Sequence, residues 1–463
     1  MNHNETLKKI KVVLDKTGPG FCLAKWYHVS MHLHVGTNHS CYHPTPHHVS
    51  LEEIQNNPSA LHNSDYKKLQ RKAMLEGERP TECSYCWDIE DLPGEQVSDR
   101  LLRSAEPWAA PLLDETAKID WQANVAPRYL EINFGYECQL KCSYCTPTVS
   151  SAWHGEIKKH GDYQLENPTN KNQYSIHYIN QEGKFHQRED GNPYIEAFWK
   201  WFPTVYNKLQ TVRITGGEPL LSSNVFKMLE WIDEHPRSDL TFAINSNMSV
   251  PERNITKFIT ACQNLQAGNK IGHVQLYTSV DTWGPQAAWI RNGLDLVKWE
   301  SNIEKYLEEV PGSTVGIMIT FCFLSIPNFK LLLDKILEMR RKYSNNTSIQ
   351  RVQFDTPNLV EPPHLSSLIV DDKMLAHLND TLDYMKTLVR DYNDLHYFDP
   401  TEYSKLERVV RWIEHNRYKG EQLALNRRDF KRFVQQHDVR RETDFATAFP
   451  ELGYFVDAIH IDF

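Results

Sequence analysis

Apolar residues recur along this chain with two alternating periods. Six short runs are rich in β-branched and aromatic residues: RYLEINFG (128–135), TVRITGG (211–217), LTFAINSN (240–247), HVQLYTSVD (273–281), TVGIMITFCFLSI (314–326) and IQRVQFDTP (349–357). Each reads as a strand. Between them lie stretches with helical spacing: the segment from Ser223 through VFKMLEWIDEH, then RNITKFITACQNL, LDLVKWESNIEKYLEEV and NFKLLLDKILEMRRKY. Strand–helix alternation predicts a parallel sheet with right-handed crossovers. Six units are fewer than the eight of a closed barrel, so the predicted fold is α/β, an open partial (β/α)6 TIM-like barrel.

Three regions depart from this rhythm. About sixty residues separate the end of the first unit from the second strand. In this insertion, about 150–208, YSIHYINQEGKFHQRED predicts a hairpin around Gln181-Glu182-Gly183, serving either as a lid over a substrate or as surface decoration. Residues 18–90 are rich in loops. Within them WYHVSMHLHVGTNHSC predicts a hairpin whose apolar face is Tyr27, Val29, Met31, Leu33 and Val35, with Trp26, His28, Ser30, His32 and His34 opposite. The histidines between His28 and His48 read as a solvated strand face and loop. From about Val370 onward, three helical segments carry no cysteine.

Composition changes the picture only modestly. The chain has 463 residues, 40% hydrophobic and 24% charged, enough for a large core. A net charge of −9 argues against a broad nucleic-acid-binding face. The longest strongly apolar run, Val315 to Ile326, is too short to span a membrane. The N-terminal segment lacks a signal-peptide pattern. The expected location is therefore cytoplasmic and reducing, where the nine cysteines are expected to be metal ligands or free thiols.

Seven cysteines lie in the first third of the chain, in two groups. Cys138, Cys142 and Cys145 follow the first strand as C-x3-C-x2-C. Three thiolates on a short loop suit three irons of a [4Fe–4S] cubane and leave the fourth iron open. A structural zinc wants four ligands, and this loop supplies three. Cys22, Cys41, Cys83 and Cys86 form C-x18-C-x41-C-x2-C, a set able to ligate a second [4Fe–4S] cluster or a zinc ion fully. Cys262 falls on the apolar stripe of a helix and reads as a core thiol. Cys322, on the fifth predicted strand, reads as core packing, with hydrogen-atom donation to a substrate radical as the catalytic alternative.

With Tyr144 before its last cysteine, the first group resembles the signature of radical S-adenosylmethionine (SAM) enzymes. Further matches follow later strands. Gly216-Gly217-Glu218-Pro219 is similar to the family's GGEP motif. Asn245 and Asn247 resemble its ribose-side turn. Ser279 and Asp281, with Arg291 downstream, resemble its S-x-D and SAM-carboxylate arginine. The resemblance implies that the Tyr144 backbone contacts the adenine, Glu218 accepts from the SAM ammonium and Arg291 grips its carboxylate. It also implies reductive cleavage of SAM to a 5′-deoxyadenosyl radical, which abstracts hydrogen from the substrate.

The second cysteine group, with its hairpin and a helix leading to C-x2-C, is similar to the SPASM or twitch auxiliary-cluster modules of that family, although such modules usually follow the barrel. The implied organisation is a SPASM/twitch-like module over 1–95, a radical SAM partial barrel over 125–362 and a helical region over 365–463. The implied cofactors are a SAM-binding [4Fe–4S] cluster, an auxiliary [4Fe–4S] cluster and SAM. The implied partners are a reductant such as flavodoxin or ferredoxin and a peptide, protein or small-molecule substrate, in an oxidoreductase or transferase reaction. The competing readings are a two-cluster electron carrier and a zinc-bearing nucleic-acid module fused to a barrel.

Overall fold

A computed structural model describes residues 3–93, 96–166, 172–176, 189–344 and 348–461. The predicted hairpin turn at 181–183 lies outside the described residues. Nine strands form one mostly parallel sheet: β1 (His28–His32), β2 (Thr37–His39), β3 (His47–His48), β4 (Tyr129–Asn133), β6 (Thr211–Thr215), β7 (Arg237–Asn245), β8 (Ile271–Ser279), β10 (Thr314–Met318) and β11 (Val352–Asp355), in the order β11-β10-β8-β7-β6-β4-β1-β2-β3. A two-stranded ribbon pairs β5 (Lys141–Cys142) with β9 (Arg291–Asn292). All six predicted strands are present. Among the described residues no helix is long and apolar enough to cross a membrane.

The chain divides into two compact units. The first holds Met1–Gly135, Phe185–Asn224 and Arg237–Ala243. Here β4 pairs in parallel with β6, Tyr129 opposite Thr211 through Asn133 opposite Thr215. Leu130, Ile132, Val212 and Ile214 are fully buried on one face, the alternation that made these strands legible. The helix Pro193–Val205, capped by the Asn192 side chain, adds Phe198, Trp201 and Phe202 to the core. A second apolar cluster gathers Phe21, Leu23, Trp26, Tyr27, Met74 and Trp108, with Cys22, Cys41 and Cys83 packed against it.

The predicted hairpin exists, since β1 runs antiparallel to β2 with Ser30 opposite His39. Its histidine face is not solvated, however. β1 also pairs in parallel with β4, His28 opposite Tyr129 through His32 opposite Asn133. A strand with partners on both edges lies inside the sheet, and His28 and His34 are buried. Burial pushes His28 well below its ordinary pKa. Its ring lies against Tyr42, Trp108 and Tyr129.

The second unit holds Tyr136–Lys184, Val225–Pro236 and Ile244–Phe463. β8 pairs in parallel with β10, and β10 with β11. The helix Glu252–Ala267 buries Ile255, Phe258, Ile259, Cys262 and Leu265, which places Cys262 in the core as its periodicity predicts. The fifth strand is shorter than predicted, ending at Met318. Beyond it the Thr320 N–H donates to the Asp281 carboxylate (2.9 Å), while the other edge keeps bonding, Ile319 N–H to the Asp355 carbonyl and Phe321 N–H to the Pro357 carbonyl. The chain then turns into a 3-10 segment, Phe323–Ser325, capped by Cys322. The predicted C-terminal helices are Asp372–Thr387, Pro400–Asn416 and Gly420–Arg441. Arg340 holds the second of them, donating to the Val352 carbonyl and to both oxygens of Glu402.

Candidate functional site

In the second unit the loop from Cys138 to Cys145 lies on the β5–β9 ribbon, with Cys142 directly opposite Arg291. This pairing, between residues far apart in the chain, brings Arg291 to the thiols. Its Nη1 donates to Cys142 Sγ at 3.6 Å, and Asn247 Nδ2 donates to Cys138 Sγ at 3.9 Å. The Arg291 guanidinium also lies over the Tyr144 ring, 5.5 Å from its centre.

Asp281 is the hub of this arrangement. Its buried carboxylate accepts from Tyr144 Oη (2.9 Å), from Arg291 Nε (2.8 Å) and Nη2 (3.0 Å), and from the Thr320 N–H. Burial opposes the charge on Arg291, and Asp281, together with Tyr144 and Cys142, more than restores it, so the guanidinium stays well above its ordinary value. The predicted carboxylate-gripping arginine thus spends two of its donors inside the protein, leaving Nη1 on the thiol side.

Burial raises the Cys142 thiol, while the Arg291 charge works in the opposite sense. Cys145 is pushed up to about 12 by burial and by Cys142. Cys322 is buried, pushed up to about 12 by burial and next by Asp281, with its sulfur 3.4 Å from Ser325 Oγ. Ser279 closes β8 opposite Met318, and Asn245 closes β7.

The glycine-rich turn lies in the first unit. Gly216 has φ +126°, and a Cβ there would stand 2.5 Å from Asn133 Oδ1 and 2.8 Å from the Gly135 carbonyl. Only glycine fits such a position. The Gly217 N–H donates to the Gly135 carbonyl. Glu218 is buried, and its Oε1 accepts from the Leu220 N–H (3.0 Å) at the start of a 3-10 turn whose first residue is Pro219.

The four N-terminal thiols also fall together. Cys22, Cys41 and Cys83 pack against one apolar cluster, and ionising Cys41, Cys83 or Cys86 would be opposed by charge on its neighbouring thiols. Burial pushes Cys41 up to about 11, and Cys83 and Cys86 up to about 12. Buried Lys25, paired with Glu82, and buried Arg100, paired with Glu90, place cations beside this group.

No disulfide joins any of the nine cysteines. Among the described residues no set of three or more His, Cys, Asp or Glu side chains stands at metal-ligand spacing. The donor chemistry nonetheless fits thiophilic metals in both places. Neutral buried thiols gain little from one another, whereas thiolates on a metal would be stabilised by it and by neighbouring cations. Motif reading missed Asn247 as a donor to sulfur, and it missed Gln173, Tyr174 and Arg441, which bind the cysteine loop through its carbonyls. No local sequence signal marks them. No family model, curated protein or solved structure matches the chain.

Proposed function

We propose that the chain is a radical SAM enzyme, with its SAM-binding [4Fe–4S] cluster on Cys138, Cys142 and Cys145. One observation carries the reading: three thiols share a single loop, and donors from Asn247 and Arg291 are turned onto two of its sulfurs. Hydrogen bonds and a cation directed at sulfur favour thiolate, the ligand form. When bound, the cluster supplies the electron that cleaves the SAM sulfonium and so begins hydrogen abstraction from a peptide, protein or small-molecule substrate.

The chain's own residues orient the site. Asp281 holds Tyr144 and Arg291 in fixed positions, and Arg291 Nη1 keeps a positive charge beside Cys142. Sequence resemblance adds Gly216, Gly217, Glu218 and Pro219, with Asn245 and Ser279, as SAM contacts. The parallel strands β4, β6, β7, β8, β10 and β11 support the partial (β/α)6 barrel. The packing of Cys22, Cys41 and Cys83 against one apolar cluster, with Cys86 three residues beyond Cys83, supports an auxiliary cluster there.

The test is anaerobic incubation of reconstituted protein with SAM and dithionite, following 5′-deoxyadenosine by mass spectrometry. Formation of 5′-deoxyadenosine that disappears in Cys142→Ala is the expected result. Protein that holds iron yet yields none overturns the reading and leaves the electron carrier in its place.

A further inference from the structure

Beyond the two-residue β5–β9 pairing and an internal bond from the Cys145 N–H to the Cys142 carbonyl (2.9 Å), the loop's carbonyls must import donors or face water. The cysteine loop imports them at six consecutive residues. Ser150 Oγ donates to the Leu140 carbonyl (2.8 Å), Arg441 Nη1 to Lys141 (2.7 Å) and Trp153 Nε1 to Cys142 (2.8 Å). Tyr174 Oη donates to Ser143 (2.6 Å), and Gln173 Nε2 to both Tyr144 (3.0 Å) and Cys145 (3.4 Å). The donors come from two segments to which no motif assigns a role, the insertion after the loop and the last turn of the helix Gly420–Arg441.

These two segments are also fastened to each other. Arg441 is bidentate on Glu156, which also takes Lys141 Nζ and Tyr163 Oη, both at 2.8 Å. Its guanidinium lies 4.2 Å over the Trp153 ring. One turn earlier, Gln436 and the Gln164 backbone exchange hydrogen bonds. Arg440 donates to the carbonyls of Gly161 and Asp162. Phe433 packs on both Tyr163 and Tyr174.

We propose that residues 150–166 and 172–175 of the insertion and the C-terminal helix form a clamp on the Cys138–Cys145 loop, in which Trp153, Gln173, Tyr174 and Arg441 are positioning residues that pre-set the backbone presenting the three thiols. Ordering the loop before a metal arrives removes that entropy cost from the binding step. Committing the carbonyls leaves the sulfurs as the loop's available ligands. The proposal rests on the radical SAM reading for what the loop holds; the clamp itself is a property of the metal-free chain.

The test is iodoacetamide labelling of the reduced, metal-free full chain, with each cysteine followed by peptide mass spectrometry. Cys262, buried in its helix, reports general unfolding. In Arg441→Met, and separately in Tyr174→Phe, which keeps the ring and removes one donor, Cys142 and Cys145 should label about fivefold faster or more, the effect of losing roughly one hydrogen bond. Cys262 should keep its wild-type rate in Tyr174→Phe and should rise less than the loop thiols in Arg441→Met, which strands the Glu156 carboxylate, and Arg441→Lys should restore part of the protection. Loop thiols that label at the wild-type rate in both variants overturn the clamp. So does a rise shared equally by Cys262, which reveals general loosening. After reconstitution, both variants should lose iron from this loop faster to a chelator, and in Tyr174→Phe, which leaves the buried Arg441–Glu156 pair intact, the faster loss should exceed what its change in melting temperature accounts for. Wild-type protein that takes up no iron would defeat the functional reading, while the labelling result would still decide the clamp.

Discussion

Arg291 and Asp281 form a buried two-pronged ion pair, Nε to Oδ2 at 2.8 Å and Nη2 to Oδ1 at 3.0 Å, and the third guanidinium nitrogen faces Cys142. One carboxylate thereby sets the position of both the cation and the Tyr144 ring beside the thiols. Removing either partner strands a buried charge. Asp281→Ala should cost about 3–5 kcal/mol of folding free energy, read by urea denaturation. Arg291→Ala should in addition weaken SAM binding to the reconstituted protein by roughly 1.5–3 kcal/mol, read by equilibrium dialysis. Unchanged SAM affinity with the cluster intact would remove Arg291 from the site.

Metal content separates the two thiol groups. Reconstituted protein should bind about eight irons, as two four-iron clusters. Replacing Cys138, Cys142 and Cys145 together by Ala should remove about half, and Cys83→Ala with Cys86→Ala the other half. Elemental analysis decides: stoichiometric zinc with only about four irons would show that the N-terminal thiols hold zinc.

The turn at Gly216 gives a purely steric prediction. Gly216→Ala must accept φ +126° and a methyl 2.5 Å from Asn133 Oδ1. Strain of this kind costs of order 1–3 kcal/mol. The melting temperature should fall accordingly, whereas Gly155→Ala, where a Cβ meets nothing within 4 Å in the helix Ser151–His160, should hold or raise it.

The clamp also carries a pH signature. Burial alone would raise the Glu156 carboxyl, but Arg441, followed by hydrogen bonds from Lys141, Arg441 and Tyr163, lowers it from 4.5 to about 2. A carboxyl held lower in the folded chain stabilises it above the unfolded value, and that contribution is lost as pH falls toward the folded one. Stability should therefore decline between about pH 5 and about pH 2, by up to ~3 kcal/mol from this group. Urea midpoints across that range should show a shallower acid-side decline in Glu156→Gln than in the wild type.

Much of this was legible in the chain itself, because the information was local. The alternation of Leu130 and Ile132, or of Val315 and Ile317, defines a buried strand face wherever the strand pairs. The stripe Ile255, Phe258, Ile259, Cys262, Leu265 defines a helix and places a thiol in the core. The spacing of Cys138, Cys142 and Cys145 puts three thiols on one loop regardless of what surrounds it, and two glycines before Glu218 announce a turn that a side chain would block. What only the tertiary structure decided depends on which segments meet. Burial of the His28 strand face required β1 to join β4 as well as β2, a pairing absent from the hairpin pattern. The Asp281 carboxylate, beyond the end of β8, takes the Thr320 N–H from the segment after β10, a contact that no pattern along the chain announces. Arg291 reaches Cys142 because β9 pairs with β5, and Arg441 reaches the Lys141 carbonyl from near the other end of the chain. A hydrogen bond across three hundred residues leaves no periodicity in the sequence, since its two groups share only a place in the folded molecule.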